Sequence, residues 1–272
     1  MNPTSGCFFV SCTPYPGYQR RQFSQEIQTA KMSSSMQRSK HNTVFLDTSC
    51  VQAVFQSREK RFTVHGLING AAVAAHTNNS GSMMGLLRPG RDILLSPAAN
   101  PARKLPYTLE MVHTGQFWVG VNTHTPNRML RLAWQNSLIP ELKGFEHFRS
   151  EAVIGDSRLD AVLHGTGGRL WIEAKNVTLM EEEKAYFPDA VSKRASKHMQ
   201  ELMLMAEAGY QTACFYLVQR PDCRCFGPAD FIDPEFADVF RQAVRQGLMV
   251  LAYDTIIDPE GITLYRPLPL KF

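Results

Sequence analysis

Long apolar runs are missing from this chain. No stretch approaches the ~20 uninterrupted apolar residues that a helical bilayer span requires, so no membrane partner is expected. The opening residues lack the basic, apolar, small-residue order of a secretory signal. Cysteine is sparse: six in 272 residues, at Cys7, Cys12, Cys50, Cys214, Cys223 and Cys225. Their scatter excludes a disulfide framework and predicts free thiols in a reducing compartment, the cytoplasm. Cys223 and Cys225 form a lone CxC with no second Cys/His pair, short of the four ligands of a structural zinc site. Phosphate-cradling glycine loops and carbohydrate-site patterns are also missing, which leaves a sugar-metabolising enzyme without support.

A surplus of one charge sign is missing only in the sum. The net charge is +4, yet residues 1–43 carry +4, residues 44–150 carry +5 and residues 151–272 carry −5. A basic front half suits contact with phosphates. An acidic back half suits that role only where some of its carboxylates hold cations.

Residues 1–43 are rich in Ser, Gln, Pro and Gly and show no sustained apolar period. They are expected to be a disordered basic extension: an inert tail or the product of a start codon assigned too early, since Met32 and Met36 offer later starts, ahead of a functional basic tail or an Arg/Ser-rich transit-like segment. From about Thr43 the texture changes to short β-like runs. Arg61–Ile68 and Ala71–His76 flank an Asn69-Gly70 turn, and Pro89-Gly90 turns into Asp92–Ser96. Tyr107–Val112 and Phe117–Val121 form a hairpin around Thr114-Gly115. Five short strands without helices predict a small β-barrel over residues 44–125, with an oligonucleotide-binding (OB) type leading among small barrels. Thr125-Pro126 reads as a helix start. Strands near 151–154, 158–163, 169–175, 212–219 and 248–254 then alternate with helices near 189–208 and 234–246. Residues 126–272 are therefore expected to form an α/β domain whose sheet is covered by helices.

Three segments of that second region gather carboxylates. Asp160 begins one predicted strand, Gly167-Gly168 turns the chain, and the next strand carries Glu173 and Lys175 on one face. Antiparallel pairing would lay Asp160 beside Glu173. Two hard carboxylates suit Mg²⁺ or Mn²⁺, and a neighbouring ammonium can orient the attacking water. Glu151, at the head of the preceding strand, is a candidate third acid. The bare Asp…Glu-x-Lys string is a loose pattern. Its context adds weight, because Leu170, Trp171, Ile172 and Ala174 make the strand apolar and unpaired buried acids are costly. In the following helix, Asp189 is the expected cap and Val191, Ala195, Met199, Leu202 and Ala206 the expected buried stripe. Arg194, Lys197, His198 and Glu201 share another face, suited to a nucleic-acid backbone. On the barrel, Arg58, Lys60, Arg61, Arg88, Arg91, Arg103 and Lys104 are candidate phosphate contacts.

Over about residues 44–272 the chain resembles the sugar fermentation stimulation protein A family. The resemblance is carried by His76–Met83, Lys104–Glu110, Val121-Asn122-Thr123, Ser150-Glu151-Ala152, Arg158-Leu159-Asp160, Glu173–Leu179, Phe187–Ser192, Arg194 and Lys197-His198. Thr77, Asn78 and Ser82 stand where the family usually has Cys, Pro and Arg or Ala, and Ala195 replaces a usual Gly. The resemblance implies an OB-like barrel followed by a PD-(D/E)xK nuclease-like α/β/α domain. It further implies non-specific DNA binding and a regulatory link to maltose or other sugar use. Position by position, Asp160, Glu173 and Lys175 take the catalytic roles and Glu151 that of accessory acid. Two readings follow: Mg²⁺-dependent phosphodiester hydrolysis of DNA, with RNA as the alternative substrate, or a non-catalytic DNA-binding regulator on a nuclease-like scaffold. A homodimer is left open.

Overall fold

The Asn69-Gly70 turn forms with both residues at positive φ, 50° and 82°, as a two-residue hairpin with the right-handed twist of its strands demands. It joins β3 (Thr63–Ile68) to β4 (Ala71–His76) in a computed structural model that describes residues 38–155 and 157–272. The expected basic extension lies almost wholly outside the described residues.

With β2 (Val51–Glu59), β5 (Asp92–Pro97), β6 (Tyr107–His113) and β7 (Trp118–Gly120), these strands run in the order β4-β3-β2-β5-β6-β7. Parallel pairing of β4 with β6, Ala75 opposite Tyr107, closes the five strands β2–β6 into a barrel. Its interior is filled by Phe55, Val64, Ile93, Leu95, Leu109 and Val112, each at most 2% exposed. Each such side chain contributes about 1.5–3 kcal/mol by leaving water.

The second sheet has seven strands, in the order β1-β16-β15-β13-β10-β9-β8. These are β1 (Thr43–Phe45), β8 (Phe145–Ile154), β9 (Ser157–Gly165), β10 (Gly168–Val177), β13 (Gln211–Val218), β15 (Met249–Asp258) and β16 (Gly261–Pro267). Helix α1 (Thr125–Gln135) covers one face, where Met129, Leu130 and Ala133 meet Leu163, Leu170, Ile172, Phe215 and Leu217. Helices α2 (Lys193–Glu207) and α3 (Pro234–Arg245) cover the other, packing Met199, Leu202, Phe236 and Phe240 on Trp171 and Tyr216. The result is an α/β/α sandwich. A small sheet of β11 (Leu179–Glu181), β12 (Lys184–Phe187) and β14 (Cys225–Pro228) sits beside it. No helix among the described residues is long and apolar enough to cross a membrane. Cys50, Cys214, Cys223 and Cys225 are unbridged.

Several local expectations are corrected. Thr43–Phe45, expected at the head of the barrel, pairs with β16 in the second sheet. Helix α2 begins at Lys193 rather than near 189, because Ser192 and not Asp189 is its cap: the Ser192 hydroxyl accepts the Ala195 amide at 3.1 Å. Val191 therefore precedes the helix and is 70% exposed instead of joining the buried stripe. Asp189 binds the barrel instead: its carboxylate accepts the Met83 amide at 2.9 Å, and its carbonyl accepts the Ser82 hydroxyl at 2.6 Å. Gly81 is required at this seam, since a Cβ there would stand 2.4 Å from Asp189 Oδ1. The whole of Ser39–Phe272 forms one compact unit.

Candidate active site

Strands β9 and β10 pair back from their tight Gly165–Gly168 turn as far as Ala161 opposite Ile172. Beyond that pair they part, and Asp160 occupies the fork. Its Oδ2 accepts the Ala174 amide at 2.8 Å, replacing the missing ladder bond, and its Oδ1 accepts Asn127 Nδ2 at 2.8 Å. Asn127 reaches across from the first turn of α1. Burial, and next the negative charge of Glu173, push the Asp160 carboxyl above its ordinary range, against the pull of these two donors and of Lys175.

Glu173 and Lys175 follow on β10, two residues apart and so on one face, the face covered by α2. Glu173 is 4% exposed. Its Oε1 is met by Lys175 Nζ at 2.5 Å and by His198 Nδ1 at 2.6 Å. Burial alone would raise this carboxyl, but the His198 hydrogen bond and the Lys175 charge outweigh it and hold the group down at about 2. The two acids thus differ: the Glu173 carboxyl is held down by His198 and Lys175, whereas burial and the neighbouring Glu173 charge push that of Asp160 up.

Not every predicted site residue arrives here. Glu151 lies opposite Asp160 in the register set by Ser150↔Ala161 and Ala152↔Leu159. It adopts a left-handed backbone (φ 54°), points into solvent and pairs with Arg158. Among the described residues no three His, Cys, Asp or Glu side chains converge as metal ligands. Arg194 and Lys197 are exposed on α2, one turn and one residue before His198. Lys197 pairs with Glu201 at 3.6 Å, a surface contact too weak, at under about 1 kcal/mol, to withhold it from a phosphate. His198, grouped with those cations by spacing, instead turns inward to Glu173. On the barrel, Arg61, Arg88 and Lys104 are exposed. Arg103 is half-buried and donates to the Leu105 and Tyr107 carbonyls. Arg58 and Arg91 also clamp loop carbonyls. Asn127 carried no signal in the sequence, because only the fold brings α1 over the fork.

The OB barrel and the α/β domain each match a family model. Residues 57–121 match the "SfsA N-terminal OB domain", and residues 124–261 match the "Sugar fermentation stimulation protein RE domain". The sugar fermentation stimulation protein homolog of Syntrophobacter fumaroxidans is 56% identical over 216 residues, covering 79% of this chain and 83% of its own length. The homolog of Maridesulfovibrio salexigens is 47% identical over 230 residues, covering 84% and 96%. The solved structure of Pyrococcus furiosus SfsA, a complex with Ca²⁺, superposes with a TM-score of 0.80 at 24% identity, covering 85% of this chain and 99% of that one. With both halves matched and relatives this similar over most of their length, the chain belongs to the sugar fermentation stimulation protein family.

Proposed function

We propose that the chain hydrolyses phosphodiester bonds of nucleic acid, DNA before RNA, with a divalent cation as cofactor. One observation carries the reading: the buried carboxylate of Glu173 and the half-buried one of Asp160 share the β9/β10 fork with the Lys175 ammonium. A structural role for this trio is poorly rewarded, since buried charges of like sign are costly and an apolar pair would pack as well.

The donor set fits a hard cation. Both acids offer oxygen, the Glu173 charge already burdens Asp160, and two carboxylates completed by water and phosphate are the habit of Mg²⁺ or Mn²⁺. That the Pyrococcus furiosus relative was solved with Ca²⁺ agrees with this chemistry. When bound, such a cation neutralises charge on the phosphate and makes an attached water more acidic. The chain's own groups do the rest. Asp160 and Glu173 would hold the cation, Asn127 and the Ala174 amide fix Asp160, and His198 fixes Glu173. Lys175 positions the attacking water, and Arg194 and Lys197 receive the flanking phosphates.

A second reading, a non-catalytic DNA-binding regulator of sugar use, is favoured by the way Glu173 Oε1 is already taken up by Lys175 and His198. Labelled single- and double-stranded DNA and RNA, incubated with Mg²⁺, Mn²⁺ or EDTA, separate the two. Metal-dependent cleavage that falls about 10²–10⁴-fold in Lys175→Ala, and is lost in Glu173→Ala, supports hydrolysis. Binding without cleavage in every metal, unchanged in both variants, leaves the regulator.

A further inference from the structure

The barrel holds a polar pocket that the reading above does not use. It is a half-open hollow of about 400 Å³, lined by His76, Asn78, Arg103, Thr108, Glu110, Asn122 and His124. Glu110 is 5% exposed. Its Oε1 accepts the Ser96 hydroxyl at 2.6 Å and its Oε2 accepts Asn122 Nδ2 at 2.8 Å. Both partners are neutral, and each carboxylate oxygen keeps a second lone pair for a further donor. A buried acid so placed is an acceptor for two neighbouring N–H groups.

A stacking surface adjoins the pocket. The His76 ring lies 6.3 Å from that of Phe62, with their planes 17° apart. Phe62 is 47% exposed, so its ring is accessible to a partner. Lys60 and Arg61, both at positive φ, form the turn just before it and are exposed. Arg58 fastens this turn to the loop after β4 by donating to the Arg61, Asn79 and Gly81 carbonyls. The platform is therefore ordered in advance, which lowers the entropy lost on binding.

We propose that this pocket receives a guanine base from a single strand of nucleic acid, with Glu110 as its reader and Phe62 stacking the neighbouring base. The proposal rests on the nucleic-acid reading above and narrows it. Guanine is the one common base whose pairing edge sets two donors side by side, the ring N1–H and the exocyclic amine. A carboxylate with two free acceptor positions matches that edge. In a duplex the edge is already paired, so the site selects single strands and splayed bases. Arg103 lines the same pocket and supplies a cation for the attached phosphate.

The test uses fluorescein-labelled oligothymidylates of ten nucleotides carrying one central guanosine, inosine or thymidine, followed by anisotropy in EDTA. Inosine lacks only the exocyclic amine. The wild type is expected to bind the guanosine strand about tenfold tighter than the inosine strand, the size of one hydrogen bond to a charged acceptor. Glu110→Gln should bind the guanosine and inosine strands equally. Phe62→Ala should weaken all three strands about tenfold, as loss of one stacked base does. If Glu110→Gln fails to fold, the wild-type comparison of guanosine with inosine still decides. Equal binding of the three strands overturns the guanine site and leaves nucleic-acid binding standing. Failure to bind any DNA or RNA overturns the functional reading and the site together. A free disaccharide that shifts the His76 and His124 imidazole resonances, where guanosine monophosphate does not, assigns the pocket to carbohydrate and overturns the proposal.

Discussion

Asp189 and Met83 are joined by a 2.9 Å hydrogen bond across 106 residues of sequence, from the loop before α2 to the loop after β4. The bond fastens the barrel to the sandwich beside the helix that carries His198. Gly81, next to it, has no space for a side chain. Gly81→Ala is expected to destabilise the protein by about 1–3 kcal/mol, the usual range for forcing extra volume into a filled site. It should also speed exchange of the Met83 amide proton. Urea midpoints and exchange rates equal to the wild type would show that the seam does not constrain the two halves.

Asn127 touches the proposed chemistry only through Asp160. Asn127→Ala should weaken the dependence on Mg²⁺ or Mn²⁺ by about 10–100-fold, as loss of a partner behind a metal-holding carboxylate does. The readout is the metal concentration giving half-maximal cleavage. Asn127→Asp keeps the shape but adds a third negative charge and should disturb the fork more. An unchanged metal dependence in Asn127→Ala would remove Asn127 from the site.

Arg220 and Asp222 form a bidentate ion pair, at 2.6 and 2.7 Å, that is nearly shut off from water, and Arg220 also donates to the Thr178 carbonyl. Asp222→Asn leaves the guanidinium buried without its counter-charge, a change that costs about 3–5 kcal/mol. Replacing both residues by apolar ones of similar volume should cost much less. Equal losses in the single and double variants would contradict this account.

Asp254, on β15 of the second sheet, is 1% exposed. Burial raises its carboxyl to about 6, against the pull of Arg266. A carboxyl raised on folding binds its proton more tightly in the folded chain than in the unfolded one. Its stabilising contribution is therefore complete below about pH 4 and lost as pH rises through about 6. The wild type minus Asp254→Asn stability difference should fall by about 3 kcal/mol across that window and stay flat above it. Urea titrations of both proteins from pH 4 to 8 measure it, and a flat difference would refute the assignment.

Much of the fold is written in local pattern. The Asn69-Gly70 turn specifies its hairpin, and the apolar run Leu170–Ile172 marks a strand buried on both faces. Elements without such signals escape. β2 loses its two-residue period at the bulge between Phe55 and Ser57, and the short strands β11, β12 and β14 hold together through one another. Asp189 was a plausible cap by position, but a cap three residues later and a partner a hundred residues away prevailed. The proposed site is legible in the same uneven way. Period-2 alternation puts Glu173 and Lys175 on one face, whereas helical spacing groups His198 with Arg194 and Lys197 without saying what that face meets. Glu151 reads as another acid of the cluster until its left-handed backbone turns it outward.

The pairing of β1 with β16 makes the barrel an insertion within the larger domain. The chain enters the second sheet at Thr43, leaves it to build the barrel, and returns through α1. Two covalent tethers hold the barrel, so it cannot swing on a single linker as a bead on a string does. Any rotation must bend both tethers together and shear the Asp189 seam. No single cut separates the two folds either. A fragment beginning at Thr125 would expose the edge of β16, an unpaired row of amides and carbonyls open to the next molecule.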